Sequence, residues 1–122
     1  MLNTDYAAIG TLAQMNPPLR SHHDNDVLWA GLLDGTIDFI ATDHAPHTLD
    51  EKAKGYPNTP SGMPGVETSL PVMLTQAVAG KCSIEQVSNW MSTAVAKAYN
   101  ISNKGAISIG YDADLVLVSS WA

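Results

Sequence analysis

The stretch Thr36-Ile37-Asp38-Phe39-Ile40-Ala41 is β-branched, aromatic or small apart from one carboxylate, and it runs directly into Thr42-Asp43-His44-Ala45-Pro46-His47. An apolar run this short has the make-up of a parallel strand covered on both faces. It therefore commits the chain to an α/β arrangement in which helices supply the cover. Pro46 ends the strand because it has no N–H to give to a ladder. Asp43 is left at the strand's end, where a carboxylate is costly unless it meets a metal ion, a cation or several hydrogen-bond donors. Two readings follow: Asp43 ligates a metal, or it caps a following helix, as Asp commonly does. Once Pro46 has turned the chain, Asp43 and His47 can face one cavity, which favours ligation. His44, next along the strand, points to the other side and reads as packing or support.

Asp43 follows Asn16 by 27 positions, close to the roughly 30 residues of a strand-helix-strand unit. This spacing predicts Asn16 and Asp43 on adjacent strands. Between them, Ser21 to Asp24 reads as a capping box ahead of a helix with apolar or small Val27, Leu28, Ala30, Gly31 and Leu32, and Gly35 supplies a left-handed stop. His22 and His23 are solvated residues of that helix start. Thr42 to Gly65, with Pro46, Pro57, Pro60, Pro64, Gly55 and Gly62, reads as a long irregular segment. Such loops are usually functional; the plainer alternative is an exposed linker.

Downstream, Leu70, Met73, Leu74, Ala77 and Val78 recur at helical spacing within Val66 to Val78, and Ser83 to Gln86 reads as a capping box opening a second helix that carries Trp90 and Met91. Thr93 to Tyr99 predicts a third helix, ended by Asn100. Trp29, Trp90 and Tyr99 read as packing anchors. Leu115 to Val118 reads as a strand, preceded by turn residues Asp112 and Asp114.

Asn16-Pro17-Pro18-Leu19-Arg20, Ala41-Thr42-Asp43-His44-Ala45-Pro46-His47-Thr48, Glu51-Lys52 and Gly62-Met63-Pro64-Gly65-Val66-Glu67-Thr68 occur in that order. Together they resemble the closing part of the dihydroorotases, zinc-dependent amidohydrolases of pyrimidine synthesis. Gly105-Ala106-Ile107 through Gly110-Tyr111-Asp112-Ala113-Asp114-Leu115 is similar to that family's return strand into a small β domain. The resemblance implies the C-terminal portion of a TIM-type (β/α)8 barrel. Residues 1–104 would hold its last two strands, a substrate loop over the barrel mouth and helices, and residues 105–122 the start of the small β domain. Asp43 matches the metal-binding aspartate at the end of the eighth strand, which is also general acid and base. It takes the proton of the attacking zinc-activated water and passes it to the leaving nitrogen, converting dihydroorotate to N-carbamoyl-L-aspartate, or the reverse. His47 matches a histidine that holds the substrate carboxylate. Asn16 matches an asparagine bonded to the ring, and Ser61 and Gly62 match a loop whose backbone meets the pyrimidine. One or two Zn²⁺ ions are implied.

The chain departs from that family in extent. A complete barrel needs about 250 residues and this chain has 122; the family's His-x-His pair, its central carboxylate or carboxylated lysine and two further histidines have no counterpart. A zinc site needs about three protein ligands, and Asp43 is one. The expectation is a C-terminal portion of a longer enzyme or a truncated gene product, binding zinc poorly and inactive alone. Two parallel strands with open edges predict self-association, marginal stability or a missing N-terminal segment as partner. Two rivals remain. Allantoinase or dihydropyrimidinase relatives share the fold but lack the histidine matching His47. A non-catalytic scaffold subunit for a carbamoyltransferase is the other, and retention of Asp43 and His47 weighs against it.

A formal charge of −6 argues against nucleic acid as a partner. No apolar run approaches the roughly 18 residues of a membrane span. A lone cysteine, Cys82, allows no internal disulfide and is expected to pack. These features fit a soluble cytoplasmic protein; a small-molecule substrate is what the resemblance implies.

Overall fold

Ser21, Thr48 and Ser83 each open a helix in the computed structural model, which describes residues 1–119. In chain order the helices are α1 (Tyr6–Ile9), flanked by 3-10 turns Asn3–Asp5 and Gly10–Ala13; α2 (His22–Asp34); α3 (Leu49–Lys52); α4 (Val66–Val78); α5 (Ile84–Ser88); and α6 (Ala94–Ala98). A π-helical turn, Asn89–Thr93, joins α5 to α6. In each of the three capping boxes the hydroxyl accepts from the amide three residues on, while that residue's own side chain accepts from the cap amide. Gly35 ends α2 at φ 83° and Asn100 follows α6 at φ 53°, both in the left-handed region that closes helices.

The helices meet around Met73, Val87 and Trp90, with Trp29, Leu32, Ile40, Leu70, Leu74, Ala77, Cys82 and Met91 packed against them. Trp29 and Trp90 stack edge to face at 6.4 Å, and Phe39 meets Tyr99 in the same manner at 5.8 Å. Trp29 and Trp90 take the expected packing roles, whereas Tyr99 is 66% exposed and, among the described residues, anchors Phe39. Val78, expected in the core, is instead 83% exposed, and Val27 and Leu28 of α2 are also exposed.

The expected strands are not formed among the described residues. Residues 36–41 are not buried as expected: Thr36, Asp38 and Ala41 are exposed and Ile37, Phe39 and Ile40 half-buried, Ile40 packing against the core, while the amides of Ile37 and Ile40 bond to Gly31 O (2.8 Å) and Trp90 O (3.0 Å), both carbonyls of helical residues. A strand exists only through a ladder to a neighbour, and among the described residues no neighbouring strand lies alongside this run. Asn16 follows the Gly10–Ala13 turn in irregular chain, not a strand adjacent to Asp43. One parallel bridge, His44 with Met63, is the sheet-like pairing present. Leu115 to Val118 is likewise not a strand and is exposed. Asp112 and Asp114 both pair with Lys104. Of the expected 105–122 unit, residues 120–122 lie outside the described residues. No helix among the described residues is long and apolar enough to cross a membrane.

Candidate active site

Asp43 adopts φ 44°, a left-handed conformation that Asp tolerates better than most residues. It is exposed, and its carboxylate makes no hydrogen bond or ion pair among the described residues. The helix that follows is capped by Thr48, whose Oγ1 accepts from the Glu51 amide at 3.2 Å. The reading of Asp43 as a helix cap is therefore corrected.

His44 turns away from Asp43 toward α4. Its Nδ1 accepts from the amides of Gly65 (3.0 Å) and Val66 (3.2 Å), two donors at a helix start that has no side-chain cap of its own. His44→Ala should cost the chain about 1 kcal/mol, the usual scale of a lost N-cap, measured as a lower urea midpoint.

His47 sits beside the loop that returns over this corner. Its Nε2 lies 3.2 Å from Ser61 O, the proton of that bond residing on Nε2, and its Nδ1 lies 3.8 Å from Glu51. The Thr48 N–H and hydroxyl, both donated to the Glu51 carboxylate, hold it below the usual carboxylate range. Gly62 completes the contact at φ 139°, where a Cβ would stand 2.7 Å from Ala45 O and 3.2 Å from His47 Nε2. The loop backbone can approach His47 this closely because position 62 has no side chain.

The same loop touches the segment that carries Asn16. The Gly62 N–H donates to Gln14 O at 3.0 Å, and Gln14 Nε2 donates to Thr59 O at 2.7 Å. Asn16 and Ser61 together line a cavity of about 660 Å³ with Tyr6, Gln14 and Tyr56 among the other walls, a size suited to small molecules. The fold thus joins His47, Ser61 and Gly62, and brings Asn16 to the same cavity as Ser61. Asp43 shares the corner by chain position, without bonding to the other four.

No three His, Cys, Asp or Glu side chains among the described residues are grouped to hold a metal ion. With about three protein ligands as the minimum for zinc, these residues do not build a zinc centre, and Asp43 supplies one carboxylate.

Glu51-Lys52 is a motif of the family resemblance, but the helix start at Thr48–Glu51 and the burial of Lys52 fall in a segment expected to be irregular. The Thr-x-x-Glu spacing was the available signal for the helix; nothing local marks the lysine as buried, yet it is 5% exposed.

The sequence pattern of the amidohydrolase family matches residues 12–121. The chain belongs to the amidohydrolase family. Among curated amidohydrolase relatives, dihydroorotase of Halobacterium salinarum is 48% identical over 114 residues, covering 93% of this chain and 27% of the relative. Dihydroorotase of Bacillus caldolyticus is 42% identical over 119 residues, covering 97% and 28%. Among solved structures, the L-hydantoinase (dihydropyrimidinase) of Arthrobacter aurescens superposes with a TM-score of 0.85 at 35% identity, over 93% of this chain and 26% of that one. This amidohydrolase chain spans about a quarter of the length of these relatives. Its course is that of a hydantoinase segment even where the ladder is not formed.

Proposed function

We propose that this chain is the substrate-binding and proton-transferring part of a dihydroorotase, a zinc-dependent hydrolase that opens dihydroorotate to N-carbamoyl-L-aspartate and closes it in pyrimidine synthesis. The observation that carries this reading is the convergence of His47, Ser61 and Gly62 beside the cavity lined by Asn16. The chain's 42–48% identity to several dihydroorotases supports it. His47 holds the substrate carboxylate, Asn16 bonds the ring, and Asp43 is both one metal ligand and the group that moves the proton to the leaving nitrogen. Because the Gly62 N–H is engaged with Gln14, contact with the ring falls chiefly to Ser61. Residues 1–104 belong to the barrel and 105–122 lead into the small β domain; the remaining zinc ligands come from barrel segments that this chain does not contain. The enzyme works in the cytoplasm.

A hybrid in which this chain replaces the 119 matched residues of the Bacillus caldolyticus enzyme, loaded with zinc, tests the reading. Ring opening of dihydroorotate is expected to exceed that of dihydrouracil, which has no carboxylate; the reverse preference overturns the assignment in favour of a dihydropyrimidinase. In the same hybrid, His47→Ala should raise KM for dihydroorotate by roughly 10- to 100-fold, the scale of one lost charge-assisted hydrogen bond, while kcat changes much less.

A further inference from the structure

Lys52 is 5% exposed, and among the described residues no carboxylate pairs with it. Its ammonium donates to two main-chain carbonyls, Gln14 O at 2.8 Å and Pro60 O at 3.0 Å. The carbonyl of Lys52 accepts in turn from Thr11 Oγ1 (2.6 Å) and Thr59 Oγ1 (3.2 Å). One residue therefore ties the end of α3 to the segment before Asn16 and to the loop before Ser61. A buried cation held by neutral carbonyls is an unfavourable way to fill space, since an apolar side chain of similar length does so without the desolvation penalty.

What the charge supplies is orientation. The Gln14–Met15 and Pro60–Ser61 peptide bonds are both trans. A trans peptide is planar and its N–H points opposite to its carbonyl. With both carbonyls drawn to the ammonium, the N–H groups of Met15 and Ser61 are turned away from it, and both residues line the cavity that also contains Asn16. Gln14 O uses a second lone pair for the Gly62 N–H at 3.0 Å, so the same anchor also sets the glycine that abuts His47.

We propose that Lys52 is a positioning residue: its buried ammonium fixes the Gln14–Met15 and Pro60–Ser61 peptide planes and so presents the Ser61 amide to the ring of the substrate. This rests on the dihydroorotase reading above for the identity of the ring, and on the structure alone for the anchor.

Two measurements test it. In the 122-residue chain, amide hydrogen exchange compares Gly62 with the core of α4. In the zinc-loaded hybrid, kinetics separate KM from kcat. For Lys52→Met the expected result is at least about tenfold faster exchange at Gly62 with α4 protection retained, together with a KM for dihydroorotate raised about tenfold and kcat within about threefold. Lys52→Arg, which keeps the charge, should recover part of both. Unchanged exchange and KM in Lys52→Met would overturn the proposal, as would faster exchange with an unchanged KM. If Lys52→Met also strips protection from α4, Lys52→Arg decides. A folded Arg variant with Gly62 protection and KM near the parent values upholds positioning by the cation; one that loses Gly62 protection while keeping KM refutes it. Should the parent hybrid fail to open dihydroorotate, the functional reading falls, while the exchange data still report on the anchor.

Discussion

Asp43→Asn should lower dihydroorotate turnover in the hybrid by roughly four orders of magnitude, the upper range for a lost general acid–base group, and should weaken zinc retention. The change is unusually clean here. Asparagine tolerates the left-handed φ of 44° as well as aspartate does, and among the described residues the exposed carboxylate it replaces has no partner whose loss would disturb the fold. The stability of the chain should therefore move by no more than about 0.5 kcal/mol. Kinetics and a thermal melt on the same preparation check both halves. Near-normal turnover would remove Asp43 from the chemistry, and a large loss of stability would mean that the carboxylate has a structural duty instead.

Gly62→Ala should be the most damaging single-carbon addition at this site. The backbone at φ 139° is unfavourable for any residue with a side chain, and the new Cβ would stand 2.7 Å from Ala45 O and 2.8 Å from Ala45 Cβ, an atom pair fixed by the main chain. Strain of this kind costs about 2 kcal/mol, which for a chain of this size lowers Tm by roughly 5–10 °C. The loop must retreat from Ala45, and His47 loses its place against Ser61 O at the same time. KM for dihydroorotate in the hybrid should rise accordingly. A melt indistinguishable from the parent would show that the loop is free to shift, and that the tight approach to Ala45 is not needed.

The helices were legible because their signals are local. Ser21 and Ser83 with their partners Asp24 and Gln86, and Gly35 at the end of α2, each act within one turn of chain. Thr48 and Glu51 form the same box, but the prolines and glycines around them read as loop and masked it. The apolar pattern of residues 36–41 predicts a buried strand, and only Ile40 of the run packs against the core; the hydrogen bonds that make a strand come from elsewhere in sequence. His44 was legible as facing away from Asp43 by the alternation of side chains. That it receives the amides of Gly65 and Val66 depends on a return of the chain some twenty residues later. Asn16, His47, Ser61 and Gly62 were legible as candidates through family motifs, whereas the contact of His47 with Ser61 and Gly62 and the cavity shared by Asn16 and Ser61 are products of tertiary contact. Lys52 was illegible as an anchor because lysine is ordinarily solvated, and its acceptors are main-chain carbonyls that leave no mark on composition.

The carbonyl of Gln14, shared between the Lys52 ammonium and the Gly62 amide, couples the segment before Asn16 to the loop that carries Ser61. Separating those two segments breaks the Gln14 O to Gly62 N–H bond and one of the two Lys52 bonds.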